Sequence, residues 1–164
     1  TKLSMKGKRG RILKLILFGS YARGDWVEDR KSGYSSDYDL LVVVNYGSFA
    51  EQYEAWEKAA ERFLQELTIT RRLSTPVNFI VHTLTDFNDQ LTHGRPFFVD
   101  IARDGIVLYE LPGYPLASPK TLAPEEARAE AQRHFGHWFP NAARRFELAQ
   151  DEVLPLPWTG SGAF

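Results

Sequence analysis

Apolar residues form several short, nearly continuous runs along the chain. Residues 11–18 and 37–44 hold mostly aliphatic side chains, and a third run covers 77–83. These runs predict strands, and the lack of a clear polar alternation in residues 11–18 predicts that the first strand is covered on both faces of a sheet. A shorter run at 106–109 predicts a last strand.

Apolar residues that recur every three or four positions predict amphipathic helices between these strands. The clearest stripe comprises Phe49, Tyr53, Trp56, Ala60, Phe63 and Leu67. Ser48 and Glu51 predict a capping box at the start of this helix. Residues 84–104 predict two helices that are separated at His93-Gly94-Arg95-Pro96, because Gly and Pro together interrupt helical hydrogen bonding.

The composition changes after residue 111. We expect residues 1–111 to form one domain, and the prolines in 112–124 predict a linker. Residues 125–150 predict a C-terminal helix that Pro140 must kink or divide. Residues 151–164 predict an irregular tail. The alternation of strands and helices makes the chain an α/β protein.

Two polar motifs stand at the ends of the first two strands. The first strand ends in Gly19-Ser20, and the second begins with Asp37 and Asp39, one residue apart. Glycine lets the backbone pass close to a phosphate, and a helix that starts here, with Ser20 as its N-cap, has N–H groups that bind anionic oxygens. Asp37 and Asp39 share one face of a strand, where two carboxylates predict a Mg²⁺ site for a nucleoside triphosphate.

A long, charged connection joins the two motifs. Arg23, about one turn into the predicted helix, either contacts a phosphate or pairs with Asp25. Residues 26–35 predict a loop that projects beside the site. Its aromatic residues Trp26 and Tyr34 either stack on a base or anchor the loop to the domain, and anchoring is the favoured interpretation.

Gly19-Ser20 followed by Asp37-Tyr38-Asp39 resembles the signature of the polymerase-β-type nucleotidyltransferases. The sequence Gly-Ser-Tyr-Ala-Arg-Gly-Asp at 19–25 is similar to sequences of the small prokaryotic branch known as minimal nucleotidyltransferases. The resemblance implies a small mixed β-sheet with helices packed mainly on one side, plus a C-terminal helix that docks on the domain or mediates dimerisation. Family members often carry a helical partner domain of the HEPN type here, and residues 125–150 resemble its first helix.

The resemblance also implies a reaction and its residues. Gly19, Ser20 and Arg23 would bind the nucleotide, and Asp37 and Asp39 would bind Mg²⁺ or Mn²⁺ and carry catalysis. The expected reaction transfers AMP from ATP to a protein or RNA hydroxyl, with pyrophosphate leaving. A HEPN-type protein acceptor, as in a toxin–antitoxin pair, is favoured over RNA.

Asn78 departs from the family pattern, which places a third carboxylate at this point. An amide cannot act as a general base and binds Mg²⁺ more weakly than a carboxylate. Asp86, Asp89 and Asp100 lack a spacing that favours any of them as its replacement, and His82 would lie roughly 13 Å away along the strand. We expect His82 to be a hydrogen-bonded strand residue.

Two other functions therefore stay open. A non-catalytic nucleotide-binding or partner-binding module would keep both motifs without the third carboxylate. An aminoglycoside-type nucleotidyltransferase would need an acidic pocket for its cationic substrate, and no acidic cluster stands out beyond the aspartate pair. A screen of acceptors would separate this third function from the first.

Composition narrows these choices only slightly. The 164 residues suffice for one domain, 43% are hydrophobic, and the net charge of −1 argues against a broad nucleic-acid surface. The chain holds no cysteine, so a metal must be bound by oxygen or histidine. The basic residues Lys2, Lys6, Lys8, Arg9, Arg11 and Lys14 are either a solvated start or a contact for RNA or triphosphate. No run approaches the roughly 18 apolar residues of a membrane span, so a cytoplasmic protein is expected.

Overall fold

The computed structural model describes residues 9–29, 31 and 33–152, and the side chains of these residues other than 134 and 148–152. The chain divides into two compact units, Thr1–Lys120 and Thr121–Phe164, and each is described by itself. Of the predicted irregular tail, residues 153–164 lie outside the described part. Residues 151 and 152 are helical.

A four-stranded sheet forms the centre of the first unit. Its strands are β1 (Ile12–Phe18), β4 (Tyr38–Val44), β5 (Val77–Thr83) and β6 (Ile106–Glu110), in the order β5-β4-β1-β6. The short strands β2 (Glu28–Asp29) and β3 (Tyr34–Ser35) pair with each other in a separate sheet. β1 runs antiparallel to both β4 and β6, whereas β4 and β5 are parallel. The four predicted strands and the mixed α/β fold are confirmed.

Helices follow the strands in chain order. They are α1 (Gly19–Arg23), α2 (Gly47–Ala50), α3 (Tyr53–Thr68), α4 (Leu84–Thr92) and α5 (Pro96–Asp104). Thr83 caps α4, since its hydroxyl accepts a hydrogen bond from the backbone N–H of Asp86 at 3.0 Å. Pro96 stands at the start of α5, where no intrahelical N–H is needed. The predicted break between the two helices is confirmed.

The core lies between the sheet and the helices α4 and α5. It consists of the buried side chains of Ile16, Leu41, Val43, Phe87, Leu91 and Ile101. On the opposite face of the sheet, Trp56 and Phe63 of α3 each lie 6.2 Å from the ring of Phe79. Helices therefore cover both faces, and the expectation that they pack mainly on one side was wrong. Side chains alternate along β5, so Phe79 and its neighbour Ile80 lie on opposite faces of the sheet, and each face is covered by its own helices.

The predicted start of the helix after β4 was also wrong. Ser48 lies inside α2, whose N-cap is Tyr46, and α3 begins separately after Gln52, so the capping box does not form. In the predicted stripe, Trp56 and Phe63 are partly buried, whereas Tyr53 is 81% exposed and Ala60 is exposed. The stripe begins one turn later than its spacing suggested.

The second unit contains one helix, α6 (Pro124–Glu152), within the described part of the chain. Pro140 lies inside α6 without dividing it, so the alternative of a divided helix was wrong. The aromatic side chains of its apolar stripe, among them Phe135, Trp138 and Phe146, are more than half exposed. In the described residues, no helix combines the length and the apolar character that a membrane span requires.

Candidate functional site

Asp37 and Asp39 lie at the end of the sheet where β1 stops and β4 begins. In the strand register, Asp39 pairs with Phe18 on β1 and with Asn78 on β5, so it stands between the last residue of one strand and the second residue of the other. Asp37 precedes β4 by one residue. The period of two along the chain places both carboxylates on one side of the sheet, as the sequence predicted.

Gly19 brings the backbone of α1 directly against Asp39. Its φ of +76° lies in the left-handed region, which side chains with a Cβ rarely adopt. A Cβ atom at this position would lie 2.5 Å from Oδ2 of Asp39. The glycine thus satisfies two requirements at once, an unusual backbone conformation and a close approach to a carboxylate.

Burial raises the pKa of Asp39 above its usual value, and the negative charge of Asp37 raises it further. The guanidinium of Arg23 opposes this rise but does not cancel it. The two carboxylates repel each other in a partly desolvated place. A cation bound between them would relieve this repulsion.

Asn78 is the third polar side chain of this group. Its Nδ2 donates a hydrogen bond of 2.8 Å to Oδ2 of Asp37. The sequence has an amide at the position where the family pattern has a carboxylate. The structure places this amide against the aspartate pair. Asn78 orients Asp37 but adds no negative charge and no basic group.

The other acidic candidates each have a polar partner elsewhere in the first unit. The ring of His82 contacts Asp86, which also accepts a hydrogen bond of 3.3 Å from Gln90. Asp89 pairs with His93 at 3.5 Å, and Asp100 pairs with Arg103 at 2.9 Å. Among the residues that the structure describes, no three carboxylate or imidazole groups converge on a common point. As expected, His82 is a hydrogen-bonded strand residue.

This donor set fits one Mg²⁺ ion that is shared with a nucleotide. Mg²⁺ in nucleotide sites commonly takes one or two protein carboxylates, and phosphate oxygens and waters complete the coordination. Asp37 and Asp39 would supply the carboxylates, and a bound cation would offset the repulsion between them that contributes to the raised pKa of Asp39.

Ser20 and Arg23 lie on α1. The N-cap of α1 is Phe18, so the prediction that Ser20 caps the helix was wrong by two positions, because the left-handed Gly19 already belongs to the helix. The backbone C=O of Ser20 accepts hydrogen bonds from the N–H groups of Gly24 and Asp25. Arg23 donates to Asp25 at 3.2 Å, as one of its two predicted roles required, and its side chain is about half exposed.

The segment predicted as a projecting loop contains a short hairpin. Its strands are β2 (Glu28–Asp29) and β3 (Tyr34–Ser35). The ring of Trp26 stacks on that of Tyr21 at 5.4 Å, and Tyr21 in turn lies 4.3 Å from Tyr38. Trp26 therefore anchors the segment to α1, as the favoured interpretation held.

A cavity of about 170 Å³ opens beside Gly19, between the end of β1 and α5. Its lining residues are Phe18, Gly19, Arg23, Phe97, Asp100, Ile101, Asp104 and Gly105. The sequence had assigned no role to Phe97 or Asp104. The spacing of Phe97, Asp100, Ile101 and Asp104 at three, one and three residues places them on one helical face, which is the signal that could have grouped them.

Other parts of the first unit are separate from this site. A cavity of about 710 Å³, lined in part by Ile12, Leu15, Phe49 and Tyr109, shares no lining residue with the carboxylate site. Lys14 is buried and contacts Glu110, so it is not part of an exposed basic surface. Lys2, Lys6 and Lys8 of the predicted basic cluster lie outside the described residues.

Two comparisons with known proteins bear on this site. A family model described as "Nucleotidyltransferase domain" matches residues 2–87, which is more than half of the chain. A 41-residue segment is 56% identical to a protein of Methanocaldococcus jannaschii that is named "Putative protein adenylyltransferase MJ0604". That match covers 24% of this chain and 35% of the relative, so the shared part is about a third of the relative's length.

Proposed function

The chain belongs to the nucleotidyltransferase domain family, and from this premise we propose that it transfers AMP from ATP to a hydroxyl group of a partner protein. We place it in the minimal nucleotidyltransferase branch, with Mg²⁺ as the metal and Mn²⁺ as a substitute. The observation that carries the proposal is the contact of Gly19 with Asp39, which joins the turn after β1 to a pair of carboxylates.

The residues of this site have separate roles in the proposal. Asp37 and Asp39 hold Mg²⁺, which would neutralise phosphate charge during the reaction. Gly19 lets the triphosphate approach the backbone, and the Ser20 hydroxyl donates to a phosphate oxygen. Arg23 exchanges its contact with Asp25 for a phosphate, because both are anionic partners of one exposed guanidinium.

The proposed transfer of AMP can be written without a protein side chain as the general base. The acceptor oxygen attacks the α-phosphorus and forms a new P–O bond, while the bond from that phosphorus to the bridging oxygen of the β-phosphate breaks and pyrophosphate leaves. The acceptor's proton passes to solvent or to the leaving pyrophosphate, since the Asn78 amide cannot accept it.

A protein acceptor is supported by the name of the Methanocaldococcus relative, "Putative protein adenylyltransferase MJ0604". We propose a HEPN-type helical partner as the acceptor, in a toxin–antitoxin-like pair. The exposed aromatic residues of α6 and its resemblance to a first HEPN helix support a helical partner. An RNA end is the alternative acceptor.

Labelled ATP tests the reaction type directly. The protein is incubated with Mg²⁺ and either α-labelled or γ-labelled ATP, with and without a HEPN partner or RNA. Nucleotidyl transfer leaves the α-label on the acceptor and releases the γ-label as pyrophosphate, whereas phosphoryl transfer does the reverse. The α-label should disappear in Asp37→Ala and persist in the matched control Asp89→Ala, whose carboxylate lies on α4. Label that persists in Asp37→Ala would refute the assignment.

A second function, a non-catalytic nucleotide-binding module, is favoured by one observation. Asn78 donates to Asp37 where a third carboxylate would take part in chemistry. Asn78→Asp separates the two functions when it is compared with Asn78→Ala. A binding module would bind Mg·ATP without transfer in the wild type, and only Asn78→Asp would introduce transfer.

A further inference from the structure

The cavity beside Gly19 is adjacent to the proposed triphosphate site but is not part of it. Gly19 lines the cavity and also contacts Asp39, so one residue separates the two spaces. The hydrogen-bonded guanidinium of Arg103 lowers the pKa of Asp104 in the cavity wall, and the charge of Arg23 adds to this effect. Arg23 also opposes the rise in the pKa of Asp39, so its charge acts on both sides. A molecule whose phosphates lie at Gly19 would have its remaining part within reach of the cavity.

An aromatic ring forms one wall of the cavity. Phe97 makes T-shaped contacts with the rings of Phe18 and Phe98, at centroid distances of 5.7 Å and 5.2 Å, and the residue remains 48% exposed. These contacts fix the orientation of the ring. The exposed part of Phe97 is therefore available for stacking against a flat group.

The polar wall combines carboxylate acceptors with a neighbouring guanidinium. Arg103 binds Asp104 through two hydrogen bonds, at 2.7 Å and 2.6 Å, and pairs with Asp100 at 2.9 Å. Arg103 therefore offsets part of the negative charge of the two carboxylates. A neutral group with N–H donors finds carboxylate oxygens here, because each oxygen can accept more than one hydrogen bond.

The cavity volume of about 170 Å³ is room for one flat heterocycle. Aromatic stacking, carboxylate acceptors and this size together describe a site for a nucleobase.

We propose that the cavity between β1 and α5 is the nucleobase subsite of the bound nucleotide, with Phe97 stacking on the base and Asp100 and Asp104 accepting from an exocyclic amine. This inference rests on the proposed nucleotide site at Gly19, Asp37 and Asp39. It assigns adenine in preference to hypoxanthine, which has a carbonyl in place of the amine.

Binding measurements test the subsite without requiring an acceptor. Calorimetry with Mg²⁺ compares ATP, ITP and inorganic tripolyphosphate, which has no base. Stacking on an aromatic side chain contributes enough that Phe97→Ala should weaken ATP about tenfold. The same variant should leave tripolyphosphate affinity unchanged. Asp100→Ala should reduce the preference for ATP over ITP.

Controls separate a local effect from misfolding. Phe97→Leu retains apolar volume and should fall between wild type and Phe97→Ala in ATP affinity. Tyr53→Ala and Asp89→Ala remove an exposed aromatic and an exposed acid elsewhere and should change nothing. Thermal unfolding of each variant verifies the fold.

The outcomes also separate this inference from the proposed function. If the wild type binds tripolyphosphate and Asp39→Ala does not, the phosphate site is supported, whether or not the base contributes to affinity. Equal affinities for ATP and tripolyphosphate in the wild type would overturn the base subsite alone. A Phe97→Ala variant that binds ATP like the wild type, or that weakens both ligands equally, would also overturn it.

Discussion

At the scale of single residues, Gly19 determines how closely the turn after β1 approaches Asp39. Its φ is +76°, and an added Cβ would lie 2.5 Å from the carboxylate. Gly24 offers a matched comparison, because its φ is +81° but no atom lies within 4 Å of its Cβ position. The two glycines separate backbone strain from close contact.

We expect Gly24→Ala to lower the free energy of unfolding by about 1 kcal/mol, the cost of a left-handed conformation. Gly19→Ala should cost at least about 2 kcal/mol, because the contact adds to the strain. It should also weaken Mg·ATP binding, which Gly24→Ala should not. Urea unfolding and calorimetry measure both quantities. Equal losses in the two variants would show that the contact with Asp39 does not matter.

The raised pKa of Asp39 predicts a dependence of stability on pH. The folded protein holds this proton more tightly than the unfolded chain does, so ionisation of Asp39 opposes folding. The protonated carboxyl of Asp39 stabilises the fold fully at pH values below its pKa in the unfolded chain. This stabilisation is lost as the pH rises through its pKa in the folded protein. Asp39→Asn, measured in EDTA, should therefore be more stable than the wild type at pH 7.

The stability difference between Asp39→Asn and the wild type should shrink towards pH 3, where Asp39 is protonated. Asp89→Asn, on the exposed surface of α4, serves as the control and should not reproduce this pattern. A variant that is less stable than the wild type at neutral pH would contradict the assigned cause, which is burial next to Asp37.

At the scale of elements, the hairpin β2–β3 is held to α1 by the stack of Trp26 on Tyr21. We expect Trp26→Ala to lower the free energy of unfolding by about 1 kcal/mol and to increase proteolysis within residues 27–35. Mg·ATP affinity should not change, because this ring packs on the protein. Limited proteolysis and calorimetry check these outcomes, with Tyr53→Ala as the control. A large loss of ATP affinity would show instead that Trp26 stacks on the base.

Strands and helices could be predicted from the sequence wherever a pattern of neighbouring residues determines them. The aliphatic runs of β1, β4 and β5 and the Gly-Pro break before α5 need only neighbouring residues. The hairpin was missed because each of its strands has two residues and no apolar pattern. Ser20 and Ser48 were assigned as caps from residue type, whereas the left-handed Gly19 and the separate helix α2 moved the helix starts.

The candidate site was predictable in part for the same reason. Gly19, Asp37, Asp39 and Asn78 lie on elements whose strand register follows from the fold, so their meeting could be expected. The approach of α5 to Gly19 depends on tertiary packing against the core. No local pattern revealed that Phe97 and Asp104 would line a cavity there.

At the scale of the whole molecule, the boundary of the first domain remains a prediction. The proline-rich segment keeps contacts beyond residue 111, since the N–H of Ala117 donates to Asn88 and that of Lys120 to the C=O of Leu91. We expect a chain that ends at Lys120 to unfold cooperatively and to bind Mg·ATP. A chain that ends at Leu111 should be about 2 kcal/mol less stable, because it loses these two hydrogen bonds. Equal stability would support the earlier boundary.

We propose that Asp37 and Asp39, held against Gly19, form the Mg·triphosphate site. Calorimetric titration with ATP, with and without Mg²⁺, tests it most directly because no acceptor is needed. We predict binding that depends on Mg²⁺ and that weakens about 10- to 100-fold or more in Asp39→Ala, while Asp89→Ala behaves like the wild type. Mg²⁺-dependent binding of ATP that is equally tight in Asp39→Ala would contradict the account.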